Sequence, residues 1–286
     1  VSETLELTNL GVLIPLLQRH GFYTRKALGQ HFLLSGAALN AILEACALDE
    51  GLPVLEIGPG IGTVTRALAE RGAEVTAVEL DSRAVAVLAE TVGAFPHVRI
   101  VQGDILKLDL AALLGDRTWT AVGNLPYYIT TPVITRMLEH AGRIRRAIFM
   151  VQREVADRMA ANPGGKEYGS LSVFVQVFAA VERVAKVPRG AFLPPPTVDS
   201  AVIRLTVRPE PLVPPDRQTL FFQLVRAAFG QRRKTLENAL SNAGILDGDR
   251  PALATVLHAA GIDPVRRGET LSIAEYLRIA EEITLR

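Results

Sequence analysis

The chain has 286 residues, 49% hydrophobic and 21% charged, which is ordinary globular usage and excludes a disordered or fibrous protein. Its 31 Lys and Arg against 30 Asp and Glu leave a formal charge of +1. Net charge alone therefore cannot carry binding to nucleic acid or to an anionic membrane. The single cysteine, Cys46, excludes an intramolecular disulfide, and the five histidines show no metal-ligand spacing, so no metal is expected.

At roughly 150 residues per domain, about two domains are expected. The N-terminus lacks a basic segment followed by an apolar one, so no secretory signal is read there. The longest uncharged run, 118–135, reaches membrane-spanning length but contains Asn124, Pro126 and Pro132 and is not read as a membrane helix. No membrane contact is expected, and the cytoplasm is the expected location.

In chain order, Ser35 can cap a helix running to about Leu48, with Leu39, Ile42, Leu43 and Cys46 on one face. Strands are expected at 53–57, 74–79, 98–102, 118–123 and 146–151, with a last pair near 181–187 and 201–207. Helices fit between them at 62–71, 82–92, 131–141 and 153–161. This alternation predicts βαβ units and a mostly parallel sheet. Pro209, Pro211, Pro214 and Pro215 then mark a boundary. Beyond them the pattern is helical at 216–229, 234–242, 250–260 and 272–284. The expectation is an α/β domain over 1–208 and a small all-helical domain over 209–286.

The first strand of the α/β region runs into Gly58-Pro59-Gly60-Ile61-Gly62 and then a helix. A glycine turn at that place lets a ligand approach the backbone, although a plain tight turn is the alternative. A dinucleotide fingerprint needs its third glycine at the sixth position, which here is Thr63. No Lys-Ser/Thr follows, and Pro59 has no N–H for a phosphate. A nucleoside ligand without a pyrophosphate fits best, and S-adenosylmethionine is the commonest. Glu79, ending the second strand, can accept from both ribose hydroxyls. Asp104, after the third strand, can accept from an adenine amino group; a capping aspartate is the alternative.

The fourth strand leads into Asn124-Leu125-Pro126-Tyr127-Tyr128, at the end of the sheet where α/β proteins bind ligands. The amino nitrogen of adenine is a poor nucleophile because its lone pair is delocalised into the ring. The Asn124 amide oxygen and the Leu125 carbonyl can accept its two hydrogens and favour a pyramidal nitrogen, an effect that grows in the transition state. Pro126 fixes the backbone, and Tyr127 offers a stacking face worth about 1–3 kcal/mol. Asparagine cannot remove a proton, so no protein general base is expected.

With these motifs in hand, the chain resembles the ribosomal RNA adenine N6-dimethyltransferases, and within them the small-subunit branch linked to kasugamycin resistance. The resemblance covers nearly the whole chain. It is carried by Lys26-Ala27-Leu28-Gly29-Gln30-His31-Phe32-Leu33, by Glu56 to Gly62, by Asn124 to Tyr127, and by Phe192 to Ser200, which fits a Phe-x-Pro-x-Pro-x-Val-x-Ser signature. It implies a Rossmann-like methyltransferase domain and cofactor contacts from His31, Leu33, Gly58, Gly60, Glu79, Asp104 and Asn124. It also implies that Phe192 sandwiches the target base with Tyr127. The substrate it implies is two adjacent adenosines, each dimethylated, in a hairpin loop near the 3′ end of small-subunit ribosomal RNA. Its implied partner is the immature small subunit, with the enzyme acting as a monomer. His31 departs from the asparagine most frequent at its position.

Four windows are basic and contain no acid: Arg19 to Lys26, Arg143 to Arg146, Arg226 to Lys234, and Arg266-Arg267. Phosphate contacts are expected from Arg143, Arg145 and Arg146 and from Arg226, Arg232, Arg233 and Lys234, each window having a solvated face as its alternative. A target base must be unpaired or flipped to reach the pocket. Two rival functions stand beside the leading one. One is a large-subunit adenine methyltransferase of the macrolide-resistance type, disfavoured by the Phe192–Ser200 signature. The other is an RNA-binding assembly factor with secondary catalysis. DNA adenine and protein glutamine methyltransferases share a similar Asn-Pro-Pro-Tyr motif; Leu125 and the small helical domain argue against them.

Overall fold

The computed structural model describes residues 5–22 and 30–285. In chain order the elements are α1 (Leu10–Arg19), β1 (Phe32–Leu33), α2 (Gly36–Ala45), β2 (Val54–Ile57), α3 (Thr63–Glu70), β3 (Val75–Glu79), α4 (Ser82–Val92), β4 (Val98–Gln102), α5 (Leu110–Leu114), β5 (Trp119–Asn124), α6 (Thr130–Glu139), β6 (Ile144–Gln152), α7 (Arg153–Met159), α8 (Ser170–Phe178), β7 (Ala179–Val187), β8 (Phe192–Leu193) and β9 (Ser200–Val207). Four helices follow: α9 (Pro215–Gly230), α10 (Leu236–Asn242), α11 (Arg250–Ala259) and α12 (Ile273–Thr284).

The chain divides into two compact units. The first, Val1–Ala156 with Val181–Val207, is the α/β unit. Its seven-stranded sheet has the order β4-β3-β2-β5-β6-β9-β7. The five strands from β4 to β6 are parallel, and β9 pairs antiparallel with β6. Strands β2 and β3 are buried throughout, as continuous apolar runs covered on both faces should be. Ser35 caps α2 by accepting from Ala38 N at 3.2 Å, and Asp81 caps α4 by accepting from Arg83 N at 3.1 Å. From β2 the chain steps outward to β3 and β4, then returns to the other side of β2 as β5. That reversal opens a crevice beyond the carboxyl ends of β2 and β5.

The second unit, Asp157–Ala180 with Arg208–Arg286, is built around α8 to α12. A boundary at 208 is the sequence expectation, but 157–180 joins the helical unit instead. The reason is its side chains. Tyr168, Val173 and Val177 belong to one apolar core with Phe221, Leu224, Leu240, Leu253 and Tyr276. Three helices, α1, α5 and α8, correspond to no expected element. Helix α8 (Ser-Leu-Ser-Val-Phe-Val-Gln-Val-Phe) is apolar nearly all round and β-branched, so it has no helical stripe to find. Among the described residues no helix is long and apolar enough to cross a membrane.

Candidate functional site

The crevice at the strand ends is a cleft of about 990 Å³, counting its open mouth. It is lined by Gln30 to Leu33, Gly58 to Ile61, Glu79 to Asp81, Gly103 to Ile105, and Asn124 with Pro126, whereas Tyr127 and the Phe192 to Ser200 motif are not among its lining residues. Residues 26–29 of the first motif lie outside the described residues.

The glycine loop owes its shape to positive φ at Gly58 (+67°), Gly60 (+57°) and Gly62 (+91°). Gly62 has a second reason: a Cβ there would come within 2.8 Å of both Leu88 Cδ1 and Thr91 Oγ1 of α4. The loop is also held from within. Glu79 Oε2 accepts from Gly60 N at 2.9 Å, and Oε1 accepts from Asp81 N at 2.8 Å. Each oxygen keeps a second lone pair. Glu79 is therefore both a candidate ribose acceptor and the tie that sets the loop, and burial raises its carboxyl pKa above the ordinary range.

Asp104 lines the cleft with one oxygen already used, Oδ1 accepting from Leu106 N at 2.9 Å. The turn role and the ligand role thus coexist in one carboxylate. Ile105 beside it is buried and supplies an apolar cover. Leu33 lines the cleft and is buried in the core behind it.

Asn124 is fixed by its amide nitrogen, which donates to the His31 carbonyl at 2.9 Å. A carbonyl can only accept, so the Nδ2 end faces His31 and Oδ1 is turned the other way as a free acceptor. Gly123 lets this happen: a Cβ there would lie 2.7 Å from the Ile57 carbonyl oxygen. Leu125 buries its side chain, so any chemistry it does belongs to its backbone. Tyr127 is half-buried, and its hydroxyl pairs with Ser200 Oγ at 2.9 Å. Burial raises the pKa of that phenol.

Among the cleft residues absent from the expected site, Tyr128 and Glu56 stand out. Tyr128 is 57% exposed and lines the cleft. Glu56 also lines it, is 2% exposed, and its Oε2 has no hydrogen-bond partner. Burial, with the nearby Glu79 charge, pushes its carboxyl up to about 8. Thr65 hydrogen-bonds this carboxyl but leaves Oε2 without a partner, and a buried oxygen of that kind in a cleft suits a ligand carrying hydrogen-bonding groups. Together with the Glu79 and Asp104 acceptors and the apolar Ile105, this donor set fits S-adenosylmethionine. Among the described residues no His/Cys/Asp/Glu group could hold a metal.

Phe192 requires a correction. It is 4% exposed in the main core and pairs with Leu33 through β8, so it offers no open face to a base. The ring stacked on Tyr127 is His31, at 6.0 Å between centroids and 26° between planes.

The basic windows also require correction. Arg143, Arg145 and Arg146 stand at the amino end of β6. Ile144 pairs there with Trp119, whereas Met150 pairs with Asn124. Five strand steps, about 17 Å, separate them from the cleft end of the sheet. Arg146 is buried, donates to the Cys46 carbonyl at 3.1 Å and pairs with Glu50. Arg143 donates to the Ala111 carbonyl at 2.9 Å and lies 3.7 Å from Asp116. In the helical unit Arg232 is a structural tie: it reaches Glu269 at 3.0 Å, donates to the Tyr168 carbonyl at 2.9 Å and lies over Phe229. Arg266 is paired with Glu275 at 2.6 Å, which holds that carboxyl down at about 2. Arg145, Arg226, Arg233, Lys234 and Arg267 remain exposed.

Comparison with known proteins adds the following. The family of ribosomal RNA adenine dimethylases matches residues 21–284. The chain is 46% identical over 275 residues to ribosomal RNA small subunit methyltransferase A of Geobacillus thermodenitrificans, covering 94% of each. It is 44% identical over 278 residues to the protein of that name from Bacillus mycoides, again covering 94% of each. Among solved structures it is similar to the 23S rRNA methyltransferase ErmE, with a TM-score of 0.70 and 30% identity, covering 88% of this chain and 99% of that one. A dimethyladenosine transferase from Plasmodium falciparum shares the fold, with a TM-score of 0.73 and 24% identity over 87% of this chain and 96% of that one.

Proposed function

We infer that this chain, which belongs to the ribosomal RNA adenine dimethylase family, transfers methyl groups from S-adenosylmethionine to the amino nitrogens of adenosines in small-subunit ribosomal RNA. The observation that carries the reaction class is the Asn124 amide, turned by the His31 carbonyl so that Oδ1 is free beside the cleft.

When bound, S-adenosylmethionine supplies an electrophilic methyl group on a sulfonium. Glu79 would accept from the ribose hydroxyls while holding Gly60. Asp104 would accept from the adenine amino group, with Ile105 as an apolar cover for the ring. Gly58, Gly60, Leu33 and His31 close the walls. Asn124 Oδ1 and the Leu125 carbonyl accept the two hydrogens of the target amino group, which localises its lone pair. That gain is largest as positive charge develops on the nitrogen. Tyr127, anchored by Ser200, gives the base a face to stack on. The methylated amino group is strongly acidic and loses its proton to water, so no protein base is needed.

The target is two adjacent adenosines in a hairpin loop near the 3′ end of the small-subunit RNA, presented on an immature subunit in the cytoplasm and modified by a monomer. Arg226, Arg233 and Lys234 of the helical unit contact phosphates and position the RNA without reading its sequence. A large-subunit substrate is the rival that the similarity to ErmE raises; the small-subunit relatives are more similar in sequence. The test offers methyl-labelled cofactor to undermethylated small subunits, mature large subunits and DNA. Label is expected in the small subunit alone. Label in the large subunit or DNA, with none in the small subunit, overturns the reading.

A further inference from the structure

Two exposed arginines of the α/β unit, Arg153 and Arg189, stand at the cleft end of the sheet and outside the four basic windows. The register places the first. Asn124 pairs with Met150, and two residues further on Gln152, the last of β6, pairs with Ser200. Arg153 follows at once, so it lies no more than about 10 Å beyond Asn124 in strand steps. Its main-chain N–H donates to the Asp199 carbonyl at 3.0 Å. Arg189 follows β7, and its main-chain N–H donates to Asp199 Oδ1 at 3.1 Å. Both arginines are thus tied by their backbones to one residue. The next residue, Ser200, pairs with the Tyr127 hydroxyl at 2.9 Å. None of Arg153, Arg189 and Asp199 lines the cofactor cleft.

The two guanidinium groups are spare. That of Arg153 is 62% exposed, and its one ion pair among the described residues is to Asp199 Oδ2 at 3.6 Å, too long for a hydrogen bond. An exposed pair of that kind contributes little to stability. The Arg189 side chain makes no ion pair or hydrogen bond among the described residues, and the exposed Glu154 pairs with neither arginine. Asp199 has one oxygen committed to the Arg189 N–H and the other facing Arg153, so two cations face one acid. A guanidinium held at its stem and open at its fork suits bidentate binding of an oxyanion. A base that reaches Asn124 leaves its sugar and phosphate outside, at the strand ends. We propose that Arg153 and Arg189 form a phosphate-binding rim for the RNA strand that carries the target adenosine, with Asp199 keeping the two in register. This inference rests on the methyltransferase reading above and adds to it a phosphate site on the α/β unit, whereas Arg226, Arg233 and Lys234 belong to the helical unit. Sequence alone hides the rim, because Glu154 follows the first arginine and the second is three residues from its nearest cation, Lys186.

The test uses the full chain with Arg153→Gln, Arg189→Gln, both together, and the two corresponding changes to Lys. Two quantities are read: affinity for undermethylated small subunits over a range of salt, and the single-turnover methylation rate at saturating subunits. Each change to Gln is expected to weaken subunit binding and to lower the slope of log affinity against log salt by about 0.7, the value for one phosphate on a single strand. The double change lowers it by about 1.4. Lysine keeps the slope, because counterion release counts charge. The rate at saturation stays within about twofold of wild type, as for a contact made equally before and during the reaction. Slopes unchanged in the Gln variants overturn the proposal. So does a rate that falls at saturation with the slope intact, which marks a structural tie through Asp199. If Arg153→Gln fails to fold, Arg189→Gln decides, since only its main chain is tied to Asp199. A wild-type protein that methylates no small-subunit RNA defeats the underlying reading instead; normal wild-type transfer with unchanged slopes in the variants defeats this inference alone.

Discussion

The ends of β2 to β5 and the arginine clusters are built on opposite logics. At the strand ends, position decides role. A parallel sheet with a reversal between β2 and β5 brings Gly58, Glu79, Asp104 and Asn124 to one crevice whatever the surrounding surface does. For the arginines, partners decide role. Arg232 and Arg233 are adjacent and both exposed, yet only Arg232 ties Glu269 to the Tyr168 carbonyl among the described residues. Chemistry placed by topology is transferable from sequence; chemistry placed by a long flexible side chain is not.

Substitutions can break this contrast. The largest effect belongs to Asn124→Ala, which removes an acceptor that acts mainly in the transition state. Turnover should fall about 10²–10³-fold, with RNA affinity nearly unchanged in a filter-binding titration. Weakened RNA binding with normal turnover of bound substrate would remove Asn124 from the chemistry. Next is Glu79→Ala, which should weaken cofactor binding by about 1.5–3 kcal/mol by calorimetry, the range for hydrogen bonds to a charged group. Part of that loss is indirect, since Gly60 and Asp81 lose their acceptor.

Within the arginines, Arg232→Ala should cost about 1–2 kcal/mol of unfolding free energy in denaturant, its partly exposed ties being discounted for solvent. Arg233→Ala should stay within about 0.5 kcal/mol, and instead lower the salt dependence of RNA binding by about one unit of slope. Equal stability losses at the two positions would erase the distinction. Glu56 gives the most local effect. Its carboxyl sits at about 8 in the folded chain against an ordinary 4.5, so the folded state holds the proton more tightly. The stability that the neutral acid contributes is complete below about pH 4.5 and is lost as the pH rises toward 8. Glu56→Gln should flatten the decline in unfolding free energy between pH 5 and 8. An unchanged slope would show that Glu56 does not titrate in that range.

Much of the α/β unit was legible because its signals are local. Ser35 reads as a cap and is one, and the apolar runs at 54–57 and 75–79 are central strands. What escaped was settled by packing. Phe192 carries a motif letter, but pairing with Leu33 turns it into the core. Ser200 is the last residue of the same motif, and only the folded chain brings its hydroxyl to Tyr127. Gly123 reads as a strand glycine, and its need for a bare backbone is visible only against the Ile57 carbonyl. The segment 157–180 lacks a periodic stripe because its helix is covered on most sides.

The central claim is that this cleft delivers methyl groups to the amino nitrogens of adenosine in small-subunit RNA. The most direct measurement is nucleoside mass analysis of undermethylated small subunits after exhaustive reaction, with the modified sites mapped on the RNA. The account predicts N6,N6-dimethyladenosine at two adjacent positions of one hairpin loop, accumulating about 10²–10³-fold more slowly with Asn124→Ala. Methyl groups on ring atoms, on ribose or on another base would contradict it.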